Sequence, residues 1–178
     1  MKNKKNILIV VVIFLIIIVL VLILSSISVF TLELKTFSEE KVVIKKYIHP
    51  GDRFTFKYTH SVAHTPVWEM FQLDDQYQII LTETDFLDHG AGLPYACFDE
   101  EIFIEEDNRF KIKNMQRIIN TPFYYRIGKV RENIFYFKDE EFNLSSMLGD
   151  ELVVLDIYKK NLFNYFLGGI LNGRKIKR

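Results

Sequence analysis

The run His60-Ser61-Val62-Ala63-His64-Thr65-Pro66-Val67-Trp68-Glu69 concentrates imidazoles, hydroxyls, an indole and a carboxylate in one short stretch. A turn over residues 61–66 would set His60 opposite Val67 and Glu69 opposite Tyr58, making imidazole and carboxylate diagonal neighbours on one sheet face. In that arrangement Glu69 orients His60 and favours its charged form, so an acidic ligand would be held until the imidazole loses its proton. The second stretch is Asp88-His89-Gly90-Ala91-Gly92-Leu93-Pro94. Its glycines can take positive φ and expose successive backbone amides as an anion-binding nest, and Pro94 keeps Leu93 extended. The candidate ligand-binding residues are therefore His60, Ser61, Thr65, Glu69, His89, Gly90 and Gly92. An alternative use of three of them is catalytic: His60, Glu69 and His89 would hold a divalent metal with one position open for water, as in a hydrolase. Neither an HExxH spacing nor a GxSxG elbow is present, so binding is favoured over catalysis and no cofactor is expected. Each residue also has an ordinary role open to it: His60 and Glu69 as hydrogen-bonded or paired structural groups, His49, His64 and His89 as loop residues, the glycines as a tight turn, and Trp68 as a core or rim aromatic.

The elements that position these residues alternate with period two. Phe54, Phe56 and Tyr58 fall on one face of a strand, and Arg53, Thr55 and Lys57 on the other. Val67–Leu73 and Tyr77–Thr84 flank Asp74-Asp75-Gln76 as a hairpin. Two more hairpins are expected, one from Ile102–Ile104 and Phe110–Ile112, the other from Phe123–Ile127 and Ile134–Phe137 around a turn at residues 128–133. Leu152–Tyr158 reads as a last strand, residues 31–41 as a stalk or first strand, and residues 139–150 as a long connection. Many short strands with few helical stripes predict a mainly β domain, an antiparallel β-sandwich or a barrel-like fold.

Two segments break this pattern. From Ile7 to Leu24 every residue is Ile, Leu, Val or Phe, and the apolar run continues to Phe30. That is long for a cleaved signal and long enough to span a bilayer, so residues 1–30 are expected to be a signal anchor, with lipid as the partner of residues 7–30. Lys2, Lys4 and Lys5 precede the run without an acid, which favours a cytoplasmic tail and an extracytoplasmic domain over residues 31–178. At the other end Leu162, Phe163, Phe166, Leu167, Ile170 and Leu171 form a helical stripe before Arg174, Lys175, Lys177 and Arg178. Either this is a short helix closing the sheet, or it is an amphipathic segment on anionic lipid or a partner. Gly168 and Gly169 each cost about 1 kcal/mol of helix propensity.

Residues 31–178 carry 20 basic and 23 acidic side chains, a balance that gives nucleic acid no attractive field. Cys97 is the one cysteine, which excludes an internal disulfide and a zinc site built on several thiolates.

His60-Ser61-Val62, Thr65-Pro66-Val67, Glu69 and Gly90 to Pro94, with Pro50-Gly51-Asp52 ahead of the first strand, resemble a bacterial family of unknown function, the domain numbered eighteen-fifty. Members are often small exported proteins, encoded beside or near tripartite periplasmic-type (TRAP) transporters whose solute receptors are of the TAXI class. The resemblance implies an accessory or binding role at such a transporter and no particular reaction. A membrane-tethered domain that binds a small acidic ligand or a TRAP component is thus expected, with a hydrolase-like enzyme or a purely structural assembly protein as alternatives.

Overall fold

The computed structural model describes residues 2–87, 97–98, 100–106 and 109–164. The chain forms two compact units, one of residues 1–31 with 158–178 and one of Leu32–Ile157. In the first, α1 runs over Lys2–Ser26. No Gly or Pro interrupts it, and its apolar residues surround the helix instead of lining one face. The most apolar eighteen residues within Lys4–Ser26 have a mean hydropathy of 4.1, and none of that stretch is buried in protein. A core helix would be covered. This helix therefore fits a single-pass anchor, and a signal sequence would have the same character. It ends at Ser26, and β1 (Ser28–Thr36) starts two residues later.

The second unit is mainly β and antiparallel. Its strands are the rest of β1, then β2 (Val42–Ile48), β3 (Arg53–Thr59), β4 (Pro66–Leu73), β5 (Ile79–Phe86), β6 (Ile102–Glu106), β7 (Arg109–Lys113), β8 (Arg117–Ile119), β9 (Phe123–Ile127), β10 (Asn133–Phe137), β11 (Glu140–Asn143) and most of β12 (Glu151–Asn161). A short helix, α2, covers Leu144–Leu148. The smaller sheet has the order β2-β1-β12-β9, and the larger has β11-β10-β3-β4-β5-β7-β6 with β8 also on β5.

Alternation dictates which face is buried. Phe54, Phe56, Phe71 and Phe135 of the larger sheet are all almost fully buried. They meet Phe123 and Tyr125 of β9 across the interior: Phe56 stacks on Tyr125 at 4.7 Å and Phe71 lies 6.4 Å from Phe123. Aromatic contact between the two inner faces makes the unit a sandwich, each buried ring contributing about 1.5–3 kcal/mol. On the outer face of the larger sheet Arg109 forks onto the buried Asp85, Nε to Oδ1 at 3.1 Å and Nη2 to Oδ2 at 2.8 Å. The same guanidinium lies 4.8 Å over the Trp68 ring. One side chain thus ties β4, β5 and β7 together.

Several expectations need correction. Phe123–Ile127 and Ile134–Phe137 do not pair with each other: β9 pairs with β12 and β10 with β3, so the link between them crosses from one sheet to the other. Phe123 and Tyr125 thus reach the core from the smaller sheet and Phe135 from the larger, all three meeting at Phe56. Residues 139–150 are a second hairpin strand and a helix, not a plain connection, because Asn143 Oδ1 caps α2 by accepting Ser146 N–H at 3.0 Å. The strand expected from Tyr77 starts at Ile79. Asp74 Oδ1 accepts the amides of Gln76 and Gln78 at 2.8 and 2.7 Å, and Tyr77 takes φ 62°, which lengthens the turn. The terminal stripe is helical at residues 162–164, and its remainder, with the basic tail, lies outside the described residues.

Candidate functional site

The turn between β3 and β4 closes one residue earlier than its sequence suggests. Thr59 pairs with Pro66, and His60 N–H donates to Thr65 O at 2.8 Å. Val67 therefore faces Tyr58, and Glu69 faces Phe56 instead of Tyr58. A slip of two residues keeps Glu69 on the inner face, since side chains alternate with period two. His60 is turned into its own loop: its Nδ1 accepts Ala63 N–H at 3.1 Å and Val62 N–H at 3.4 Å. With Nδ1 an acceptor, the ring proton sits on Nε2. His60 O also accepts His64 N–H at 3.1 Å, with His64 at φ 56°.

Glu69 finds a different partner. Tyr58 Oη donates to Glu69 Oε1 at 3.4 Å, and the Tyr58 ring lies 5.9 Å from that of Tyr125. The imidazole–carboxylate pairing expected from the sequence is replaced by a carboxyl between strands that face two phenols. Burial pushes the Glu69 carboxyl above its ordinary range, and the Tyr58 hydrogen bond offsets only part of this. Burial also raises the Tyr58 phenol, with the adjacent Glu69 adding to it. Tyr125 is raised by burial and then by Glu69 and Tyr58. Both phenols stay protonated as a result.

Beside this group a cleft of about 540 Å³ runs along β9, the edge strand of the smaller sheet. Tyr58, His60 and Ser61, from β3 and the turn after it, line it together with Tyr125 and Arg126 of β9, Arg131 of the following loop and Asp150. Asp150 Oδ1 accepts Lys129 N–H at 2.8 Å, which fixes the carboxylate's position and leaves its charge in place. Two exposed arginines are thus among the lining residues against one carboxylate. The loop carrying Arg131 is fixed by the buried Asn133, whose Nδ2 donates to Arg131 O at 2.8 Å and Gly128 O at 3.2 Å. Ser145 braces the same loop by donating its hydroxyl to Arg131 O. A planar guanidinium fork matches a carboxylate two bonds at a time.

Of the residues singled out from sequence, His60 and Ser61 line this cleft. Thr65 lies in the same turn, and its Oγ1 is buried without a hydrogen-bond partner among the described residues. Glu69 sits behind Tyr58 and is not part of the cleft wall. His89, Gly90 and Gly92 lie outside the described residues. Among the described residues no three His, Cys, Asp or Glu side chains cluster closely enough to hold a metal ion, and His60 and Glu69 direct their bonded atoms to different partners. Tyr125, Arg126, Arg131 and Asp150 were not legible as site residues. Their only signal is the density of Tyr124-Tyr125-Arg126 on a short strand, which alternation alone explains.

A family model described as Domain of unknown function (DUF1850) matches residues 54–144, from β3 to the start of α2. No curated protein and no solved structure matches the chain.

Proposed function

The chain belongs to the DUF1850 family of domains of unknown function, and from that premise we propose that it is a membrane-tethered extracytoplasmic binding domain whose cleft takes a small acidic ligand. The observation that carries the reading is the charge of the cleft lining: Arg126 and Arg131 stand against the one carboxylate of Asp150. Guanidinium forks supply orientation for a carboxylate, and the protonated phenol of Tyr125 and the Nε2–H of His60 add neutral donors. The apolar helix α1 supports tethering, and the three lysines at its N-terminal end support a domain on the far side of the membrane. Association with a TAXI-class TRAP transporter is the partner proposed for this domain, on the strength of the family's usual setting.

Thermal unfolding of the detergent-solubilised full chain with succinate, and with the neutral diamide succinamide, tests the binding reading. Ligand that binds only the folded state raises Tm with concentration. Succinate should raise it and succinamide should not, and the effect should disappear in Arg131→Ser. Equal effects of both compounds, or none, would refute an acid-binding cleft. The partner is tested separately by affinity capture of the tagged chain from its own membranes: recovery of TRAP membrane subunits supports it, and their absence removes it.

A further inference from the structure

Among the described residues β9 pairs with β12 alone, Phe123–Ile127 running against Leu155–Glu151, so its other edge is open. Antiparallel strands turn the N–H and C=O of successive residues alternately to one neighbour and to the other. Here β12 sets the parity. Leu152 O accepts Phe37 N–H at 2.8 Å, on the β1 side of β12, so Glu151, Val153 and Leu155 address β9. Their partners Ile127, Tyr125 and Phe123 are the bonded residues of β9, and Tyr124 and Arg126 turn their N–H and C=O to the open edge. Both are exposed. Every residue from Tyr124 to Gly128 lines the cleft. Side chains of a strand alternate between faces, so an unbroken run of lining residues means that the edge itself, backbone included, borders the cleft.

We propose that the cleft takes an extended peptide segment, which adds to β9 as an antiparallel strand and carries a carboxylate side chain opposite Arg126. The inference rests on the acid-binding reading of the cleft and names the class of acid. The N–H and C=O of Tyr124 and of Arg126 are two donors and two acceptors at ladder spacing, and such groups give strand addition its affinity. Side chains supply the selection. Tyr125 stacks on Phe56 and Ile127 is fully buried, so Tyr124 and Arg126 share the outer face of the sheet. Residues directly opposite them on an added strand lie on that face too. The position opposite Arg126 favours Glu or Asp, with Arg131 lining the same cleft. The position opposite Tyr124, two residues further along the peptide, favours an aromatic or β-branched side chain. A small free acid satisfies the arginines and leaves the edge unpaired, so the peptide is the tighter ligand.

Fluorescence anisotropy of the fluorescein-labelled heptapeptide TVTETYT with the detergent-solubilised full chain tests this, succinate binding being read independently from its Tm shift. The peptide should bind, and more tightly than succinate. N-methylation of its Glu and Tyr, whose N–H groups would point at β9, should weaken binding about tenfold or more, whereas N-methylation of the threonines on either side of Glu should change it by less than about twofold. TVTQTYT should also bind more weakly, and Arg126→Glu should reverse the preference between TVTETYT and TVTKTYT. If succinate binds but the peptide binds no more tightly, or if the two methylation patterns have equal effects, strand addition is overturned and an acid-binding cleft remains. If neither succinate nor the peptide binds, the acid-binding reading falls and takes strand addition with it.

Discussion

Glu69 is a carboxyl held on the inner face of a sheet with the Tyr58 phenol as its hydrogen-bond partner. Its folded pKa lies above the ordinary 4.5, burial being the main cause. As pH rises from that ordinary value to the raised one, the unfolded chain has lost a proton that the folded chain retains, so this group lowers stability through the window. Glu69→Gln removes the titration. Melting temperatures of the two forms should therefore diverge in favour of the variant as pH rises from about 4.5 and run parallel above the folded pKa, and a gap constant across pH would contradict the buried carboxyl. His60 gives the complementary test. Its Nδ1 secures the amides of Val62 and Ala63, so His60→Ala should cost about 1–3 kcal/mol in denaturant unfolding. His60→Asn places an acceptor near the same point and should restore much of the loss. Sequence density drew attention to both residues, but it could not say which partner each would take. That depends on a register slip of two residues, which leaves the face unchanged and so leaves no trace in the pattern.

At the scale of elements, the strands were largely legible and their partners were not. Alternation in Arg53–Thr59 marks the inner face correctly, and the hairpin of β4 and β5 follows from its polar turn at Asp74. Nothing local distinguishes a hairpin from a crossover at residues 128–132, where β9 leaves one sheet and β10 enters the other. Because that crossover puts β9 at the sheet edge beside the β3–β4 turn, it also creates the cleft, and the site was hidden for the same reason as the topology. Phe56 reports on the contact between sheets: it is fully buried and stacks on Tyr125, so Phe56→Ala should cost about 3–5 kcal/mol. A loss below 1 kcal/mol, on the same scale of cavity costs, would mean the sheets do not pack there. Arg109→Met tests the outer face. It leaves Asp85 buried with only Lys111 at 4.0 Å, and the expected cost is about 3 kcal/mol. Asp85→Asn together with Arg109→Met should recover part of that loss, since the stranded charge is gone.

For the whole molecule, α1 and the β domain differ in character: α1 has the length and composition of a single-pass anchor or a signal sequence, and the β domain presents a cleft lined by Arg126 and Arg131. The apolar helix was legible because eighteen consecutive apolar residues are long enough to span a bilayer as a helix. The cleft was not, because its arginines lie far from His60 and Ser61 in sequence and meet them only through the two-sheet fold. The claim that joins these parts is that Arg126 and Arg131 bind an anionic group. Arginine side-chain NMR of the full chain in detergent, titrated with succinate and then with succinamide, addresses those two groups directly, with Arg126→Ser and Arg131→Ser assigning the signals. Saturable movement of both Nε–H resonances with succinate alone is the predicted result; no movement, or the same movement with the neutral diamide, would contradict an acid-binding site.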